Sequence, residues 1–185
     1  MLAVLFAVRL WSPDDGFNPS QPPVAGAYVV ERVVDGDTII FAPGFRVRLI
    51  GVNTPETVKP EHPVEPWGPE ATDFTKKFLA QGSARLEFDR ERVDQYGRFL
   101  AYVWVGDEML NEALLRNGLA RFEQHFHYSE EVKRRFRAAQ AEAKRARVGI
   151  WSGQKGTVGN VRDFPGANGP MTTALARSKA TDLRI

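Results

Sequence analysis

Three short runs rich in β-branched and aromatic residues, Tyr28 to Val34, Asp37 to Phe41 and Phe45 to Val52, are separated only by Asp35-Gly36 and Ala42-Pro43-Gly44. Links that short leave no room for a helical crossover, so the three strands must run as an antiparallel meander. Asp35-Gly36 is the dipeptide that a type I′ hairpin prefers, and Pro43-Gly44 suits the centre of a type II turn. On the third strand the alternation places Arg46, Arg48 and Ile50 on one face and Val47, Leu49 and Gly51 on the other.

A proline-rich loop, Thr57 to Trp67, leads into a helix. Pro69 fits its first position, Glu70 its positive end and Gly82 its close, with Ala71, Phe74, Phe78 and Leu79 as its apolar stripe. Ala84 to Asp89 alternates as a half-buried strand, and Arg98 to Val105 is another. Asp107 is placed to cap a short helix carrying Leu110, Ala113 and Leu114, ended by Gly118. Ser129 is placed to cap a longer helix with Val132, Phe136, Ala139 and Ala143 inward. Three strands, a helix, two strands and two helices are best satisfied by an α+β fold: a five-stranded antiparallel OB-fold barrel with three packed helices.

With 185 residues and 43% hydrophobic content, the chain can build one such core. Residues 28–153 are expected to form that domain. Residues 1–27 are an apolar and Pro-rich segment and linker, and residues 154–185 a Gly-, Ser-, Thr- and Ala-rich flexible tail. Met1 to Trp11 is too short to cross a bilayer. It reads equally as the remnant of a signal or anchor, giving a secreted or membrane-anchored extracellular protein, and as an ordinary terminus. The absence of cysteine excludes disulfides and thiolate metal sites. A net charge of +2 permits a polyanionic partner without requiring one.

Chemistry concentrates in three places. The hairpin turn explains Asp35 and Gly36, but not a second carboxylate, Asp37, heading a strand against β propensity. Taken alone, Asp37 fits a metal ligand and a solvated turn residue equally. Of the two strand arginines, Arg48 is nearer the polar turn Asn53-Thr54-Pro55-Glu56, where its planar fork could grip a phosphate and Arg46 could snorkel to water. Asp37, Asn53 and the Thr54 carbonyl together could hold a hard cation such as Ca²⁺, with waters completing its shell. Asp94-Gln95-Tyr96-Gly97-Arg98 adds a second arginine that could reach the same phosphate and a tyrosine that could stack on a base. Lys76, Lys77 and the helix with Lys133, Arg134, Arg135 and Arg137 are read as solvated positive surface.

In this order the strings are specific. Asp-Gly-Asp-Thr at 35–38, Thr-Pro-Glu-Thr at 54–57, Gly-Pro-Glu-Ala at 68–71 and Phe-Thr-Lys-Lys at 74–77 are joined by Tyr-Gly-Arg at 96–98, Asn-Glu-Ala-Leu at 111–114 and Ile-Trp-Ser at 150–152. From about Tyr28 to Trp151 the chain closely resembles the staphylococcal nuclease, or thermonuclease, family. That resemblance implies an OB-fold, Ca²⁺-dependent phosphodiesterase acting on DNA and RNA. It would cut the 5′ P–O bond and leave 3′-phosphates. Aromatic contact with splayed bases favours single strands, and a monomer is expected.

Carried across residue by residue, the resemblance makes Asp37, Asn53 and the Thr54 carbonyl the Ca²⁺ ligands. Arg48 and Arg98 would bind the scissile phosphate, Glu56 would activate water, and Tyr96 would hold the nucleotide. Two departures stand out. Asn53 occupies a position where the best-known member has aspartate, and Gln124 and Phe126 replace aromatic residues of the nucleotide pocket, so Phe126 is the stacking candidate, with His125 and His127 as alternatives that read first as surface residues. The rival reading is a nuclease-like scaffold, catalytically weak or silent, that binds nucleic acid or protein. Asn53 favours it, and the retention of Asp37, Arg48, Glu56 and Arg98 together opposes it.

Overall fold

The computed structural model describes residues 22–57 and 63–154. The expectations for Met1 to Trp11 and for the C-terminal tail lie outside those residues. The strands are β1 (Gly26–Val33), β2 (Thr38–Phe41), β3 (Phe45–Leu49), β4 (Val52–Asn53), β5 (Ser83–Glu87), β6 (Phe99–Val105), β7 (Glu108–Met109) and β8 (Arg121–Phe122). The helices are α1 (Gly68–Phe78), α2 (Leu110–Arg116) and α3 (Glu130–Ala146), with a 3-10 turn at Gly149–Trp151.

Strands β3, β2, β1, β5 and β6 pair in that order, and β3 returns to β6 to close the barrel. Four of the seams are antiparallel, and the closing one, Val47 to Leu49 against Phe99 to Ala101, is parallel. An all-antiparallel barrel of five is impossible, because alternating directions around an odd ring must fail once. Strand β1 serves two neighbours. Gly26 to Val29 pair with β5, and beyond them Val30 to Val33 pair with β2, with a register shift between Val30 and Arg32. The extra residue of a bulge bends a strand, which lets one strand turn the barrel's corner.

The interior is apolar and closed. Ile39, Phe41, Val47, Leu49, Leu86, Leu100 and Val103 have no exposed surface. Each such side chain contributes about 1.5–3 kcal/mol of transfer free energy. Leu110, Leu114 and Leu115 of α2 and Phe136 and Ala139 of α3 extend the same core over one end. Where β3 ends, Asn111 of α2 takes over the pairing: its amide donates to Ile50 O (2.9 Å) and Ala101 O (3.2 Å) and accepts from Val103 N (3.0 Å). One fully buried side chain thus satisfies backbone groups on both sides of the parallel seam.

Several local expectations change. Gly36 is not among the glycines with positive φ, so the β1–β2 connection is no type I′ turn. It is a longer loop in which the Val34 and Asp35 N–H groups both donate to Thr38 O. At the next turn the Gly44 N–H reaches Phe41 O, so Ala42 and Pro43, joined by a cis peptide, form its centre rather than Pro43-Gly44. Asp107 lies in the two-residue link between β6 and β7, and α2 starts from Met109 without a side-chain cap. The Ser129 hydroxyl also makes no capping bond; the Ser129 N–H instead donates to Asp89 Oδ2 at 2.9 Å.

Candidate active site

The loop between β1 and β2, the end of β3 with β4, and the start of β6 meet at one end of the barrel. Asp35, Asp37, Arg48, Asn53, Thr54, Pro55, Glu56 and Arg98 line a single cavity there of about 140 Å³. All three segments singled out in the sequence are therefore brought together, and Pro55 is the only apolar residue among the eight.

Asp37 is buried and anchors the site. Its Oδ2 accepts from the Thr54 N–H (2.8 Å) and the Thr54 hydroxyl (3.0 Å) and lies 3.1 Å from Arg48 Nη1. Its Oδ1 accepts from the Thr38 hydroxyl at 3.3 Å. The loop bearing Asp37 is fixed from behind: the buried Thr75 hydroxyl of α1 donates to Gly36 O at 2.7 Å. A Cβ on Gly36 would stand 2.8 Å from Ala71 Cβ and 2.8 Å from two atoms of the Thr54 side chain. Glycine is required at 36 for close approach, not for its backbone angles.

Arg48 is also buried, while Arg46 on the same strand is exposed. Arg48 Nη1 donates to Leu49 O (3.1 Å) and Val52 O (2.8 Å), and Nη2 to Asn53 Oδ1 (3.0 Å). A guanidinium has five N–H groups; Nη1, shared with Asp37, uses two and Nη2 one, so two have no partner among the described residues. Arg98 is held differently. Its Nε donates to Asp94 Oδ2 (2.7 Å), and Asp94 Oδ1 accepts from the Tyr96 and Arg98 N–H groups. That leaves both Nη groups of Arg98 without a hydrogen-bond partner among the described residues. The fork of Arg98 is thus the more open of the two. Glu56 Oε1 accepts from the Thr57 N–H at 3.0 Å.

Asp35, which sequence reasoning assigned to the turn alone, also lines the cavity. Its Oδ1 accepts from the Asp37 N–H at 3.0 Å. Burial first, and then the negative charge of Asp37, push its carboxyl up to about 6, against the hydrogen bonds from Asp37 and Thr38. The signal was present as the repeated acid of Asp-Gly-Asp, but hairpin chemistry absorbed it.

Two guanidiniums thus face three carboxylates, those of Asp35, Asp37 and Glu56. Such a cavity carries a surplus negative charge that would repel a phosphodiester. A divalent cation between Asp35 and Asp37 would reverse that sign and relieve the repulsion acting on Asp35. Among the described residues no three His, Cys, Asp or Glu side chains cluster as in a closed metal site. The donor set of two carboxylates, the Asn53 amide and the Thr54 carbonyl is the mixed oxygen set that suits a hard, partly hydrated cation.

Tyr96 stands outside the cavity, 74% exposed, with Arg98 Cζ 5.4 Å from its ring centre. Phe126 departs from expectation. It is only 7% exposed and belongs to the core, because Phe126 and Tyr128 alternate inward while His125 and His127 point out. Of the two exposed histidine rings there, that of His125 lies 4.0 Å from Phe126 between centres, with Nδ1 2.6 Å from Glu123 Oε1.

Known proteins of similar sequence are nucleases. The model of the staphylococcal nuclease homologue family matches residues 46–153. A thermonuclease of Staphylococcus intermedius is 46% identical over 158 residues, covering 82% of this chain and 94% of that protein. A thermonuclease of Staphylococcus hyicus is 48% identical over 131 residues, 68% of this chain and 75% of its own length. Endonuclease YncB of Bacillus subtilis is 40% identical over 141 residues, 74% of this chain and 66% of its own. With its five-stranded barrel, its three helices and its cluster of arginines and acids accounted for, the chain belongs to the staphylococcal nuclease family.

Proposed function

We propose that the cavity of Asp37, Arg48, Glu56 and Arg98 hydrolyses the phosphodiester bonds of DNA and RNA, with Ca²⁺ as its ion. The chain is a nuclease, a phosphodiesterase by reaction class. The finer reading is cleavage of the 5′ P–O bond to leave 3′-phosphates, by a monomer that prefers single strands. The observation that carries it is the meeting of two incompletely used guanidiniums, a carboxylate and an acidic pair around one cavity.

Arg98 receives a non-bridging oxygen of the phosphate on its open Nη groups, and Asp94 fixes the orientation of the fork. Arg48 adds its two remaining N–H groups from the cavity floor, held by the carbonyls of Leu49 and Val52. Charge grows on those oxygens as phosphorus becomes five-coordinate, so donors fixed beforehand bind that state more tightly than the ground state. Glu56 orients the attacking water and accepts its proton. Asp35, Asp37, Asn53 and the Thr54 carbonyl would hold the Ca²⁺ ion, which when bound supplies a Lewis acid for phosphate charge and for water. The exposed ring of Tyr96 offers a face to an unpaired base, in keeping with single strands.

Incubation with single-stranded DNA, with Ca²⁺ and then with chelator, followed by end-group analysis, tests this reading. Cleavage only with Ca²⁺, yielding 3′-phosphates, is expected. Cleavage undiminished by chelator, or 5′-phosphate ends, would refute it.

A further inference from the structure

A second cavity, of about 360 Å³, opens directly against the first, with Asn53, Thr54 and Pro55 forming a wall common to both. We propose that it is a subsite for the nucleotide flanking the scissile phosphate, with Arg121 binding that nucleotide's own phosphate. The proposal rests on the nuclease reading above.

Three observations carry it. First, Arg121 of β8 is the cross-strand partner of Asn53. Side chains paired across an antiparallel ribbon lie on one face, so Arg121 stands on the cavity side of β4 beside the residue that Arg48 holds. Second, Arg121 is an exposed cation with no carboxylate partner among the described residues. Arg85, Arg98, Arg116 and Arg135 each pair with an acid. Arg121 is instead stacked on Trp151, its Cζ 5.0 Å from the ring centre, with Lys144 Nζ 4.5 Å from the same ring. A guanidinium held by an aromatic ring loses less freedom when it takes a phosphate. Third, the cavity has apolar walls beside its charged ones. Pro55, Pro66 and Ile150 provide apolar surface for a sugar or a base face.

The lining also contains one opposing charge. The Glu65 carboxylate accepts the Glu56 N–H at 3.2 Å. It repels phosphate from its own wall and so directs the flanking phosphate toward Arg121. A polymer that places one phosphate between Arg48 and Arg98 must leave the first cavity, and this is an exit with a cation at its edge.

The test is binding, measured with Ca²⁺ in a Glu56→Gln background so that cleavage plays no part. Fluorescence anisotropy of a labelled octathymidylate and a labelled thymidine dinucleotide is followed against salt. Arg121→Gln should weaken octamer binding roughly tenfold, the scale of one charge-assisted contact, and leave dinucleotide binding unchanged. Its salt slope should fall by about 0.7, the share of one phosphate contact on a single strand. Arg121→Lys should keep most of the slope. Glu65→Gln, an exposed position, should tighten octamer binding several-fold and so decides the matter even if Arg121→Gln unfolds. Wild-type affinities that do not differ between octamer and dinucleotide would overturn the subsite, as would an unchanged slope in a folded Arg121→Gln protein. Failure of the nuclease reading would show separately, as DNA left intact by the wild-type protein in the presence of Ca²⁺.

Discussion

Gly36→Ala is the sharpest perturbation the structure offers. The added methyl would meet Ala71 Cβ, Thr54 Cγ2 and Thr54 Oγ1, all at 2.8 Å. None of these is the tip of a long flexible side chain. Ala71 is fully buried on α1, and Thr54 is held through its N–H and hydroxyl to Asp37. The loop must therefore move away from α1, stretching the Thr75–Gly36 hydrogen bond of 2.7 Å. Overpacking of this kind costs about 1–3 kcal/mol, and the strained buried hydrogen bond adds about 1 kcal/mol. A loss of about 2–4 kcal/mol in urea unfolding is expected, a large part of a typical domain's stability. Asp37 moves with the loop, so Ca²⁺-dependent cleavage by the remaining folded protein should fall at least tenfold, since displacements near 1 Å cost up to about 10²-fold. Gly44→Ala is the control: φ is +100° but nothing lies within 4 Å of the added methyl. It should cost backbone strain of about 1–2 kcal/mol and leave cleavage intact. A Gly36→Ala protein within about 0.5 kcal/mol of wild type, the range of an ordinary surface change, and fully active would refute the close-approach argument.

Asn53→Asp adds a charge beside the acidic pair and should lower the Ca²⁺ concentration needed for half-maximal cleavage roughly tenfold, consistent with one more ligand charge; an unchanged or higher requirement would remove residue 53 from the ligand set. Arg98→Lys cannot keep the Asp94 contact and also present a fork, so kcat on single-stranded DNA should fall by about 10²-fold with the thermal midpoint little changed; intact turnover would remove Arg98 from the chemistry. Asp89 is opposed by burial, but hydrogen bonds from the Ser129 N–H, the Tyr102 hydroxyl and the Arg90 N–H prevail and hold its carboxyl below the ordinary 3.8. A depressed carboxyl stabilises the fold above the unfolded value and ceases to do so as pH falls through the folded one. Asp89→Asn should therefore cost about 1–2 kcal/mol at pH 7 by urea unfolding, the scale of hydrogen bonds to a charged group. That difference should narrow as pH drops below 3.8; a pH-independent difference would sink the argument.

The elements were legible because each carried its own periodicity. The three-strand meander, the Pro69-led helix and the inward Phe136, Ala139 and Ala143 of α3 all stand where their patterns put them. The candidate site was legible because motif strings from three separate segments converge on one cavity. What stayed hidden depends on tertiary neighbours. Gly36 carried a turn signal but is needed for contact with Ala71 and Thr54. Asp35 looked like turn chemistry until burial placed it in the cavity. Asn111 sits in an ordinary helical string, and nothing local says that its amide closes a seam with Ile50 and Ala101. Phe126 stands where the family resemblance puts a nucleotide-pocket aromatic, and only the packing decides that Tyr128 and Phe126 turn inward together.

The double duty of β1 bears on how this protein should be excised for study. The family match starts at residue 46, yet Gly26–Val33 supplies partners to both β2 and β5. The tether runs further upstream still, through the Tyr28 hydroxyl to Val24 O and Arg92 Nη2 to Pro23 O. A fragment trimmed to the matched limits would lose two staves of the barrel together with Asp37, and would leave the flanks of β3 and β5 bare. Cloning should therefore begin no later than Pro22, and a shorter insert that precipitates would say nothing about catalysis.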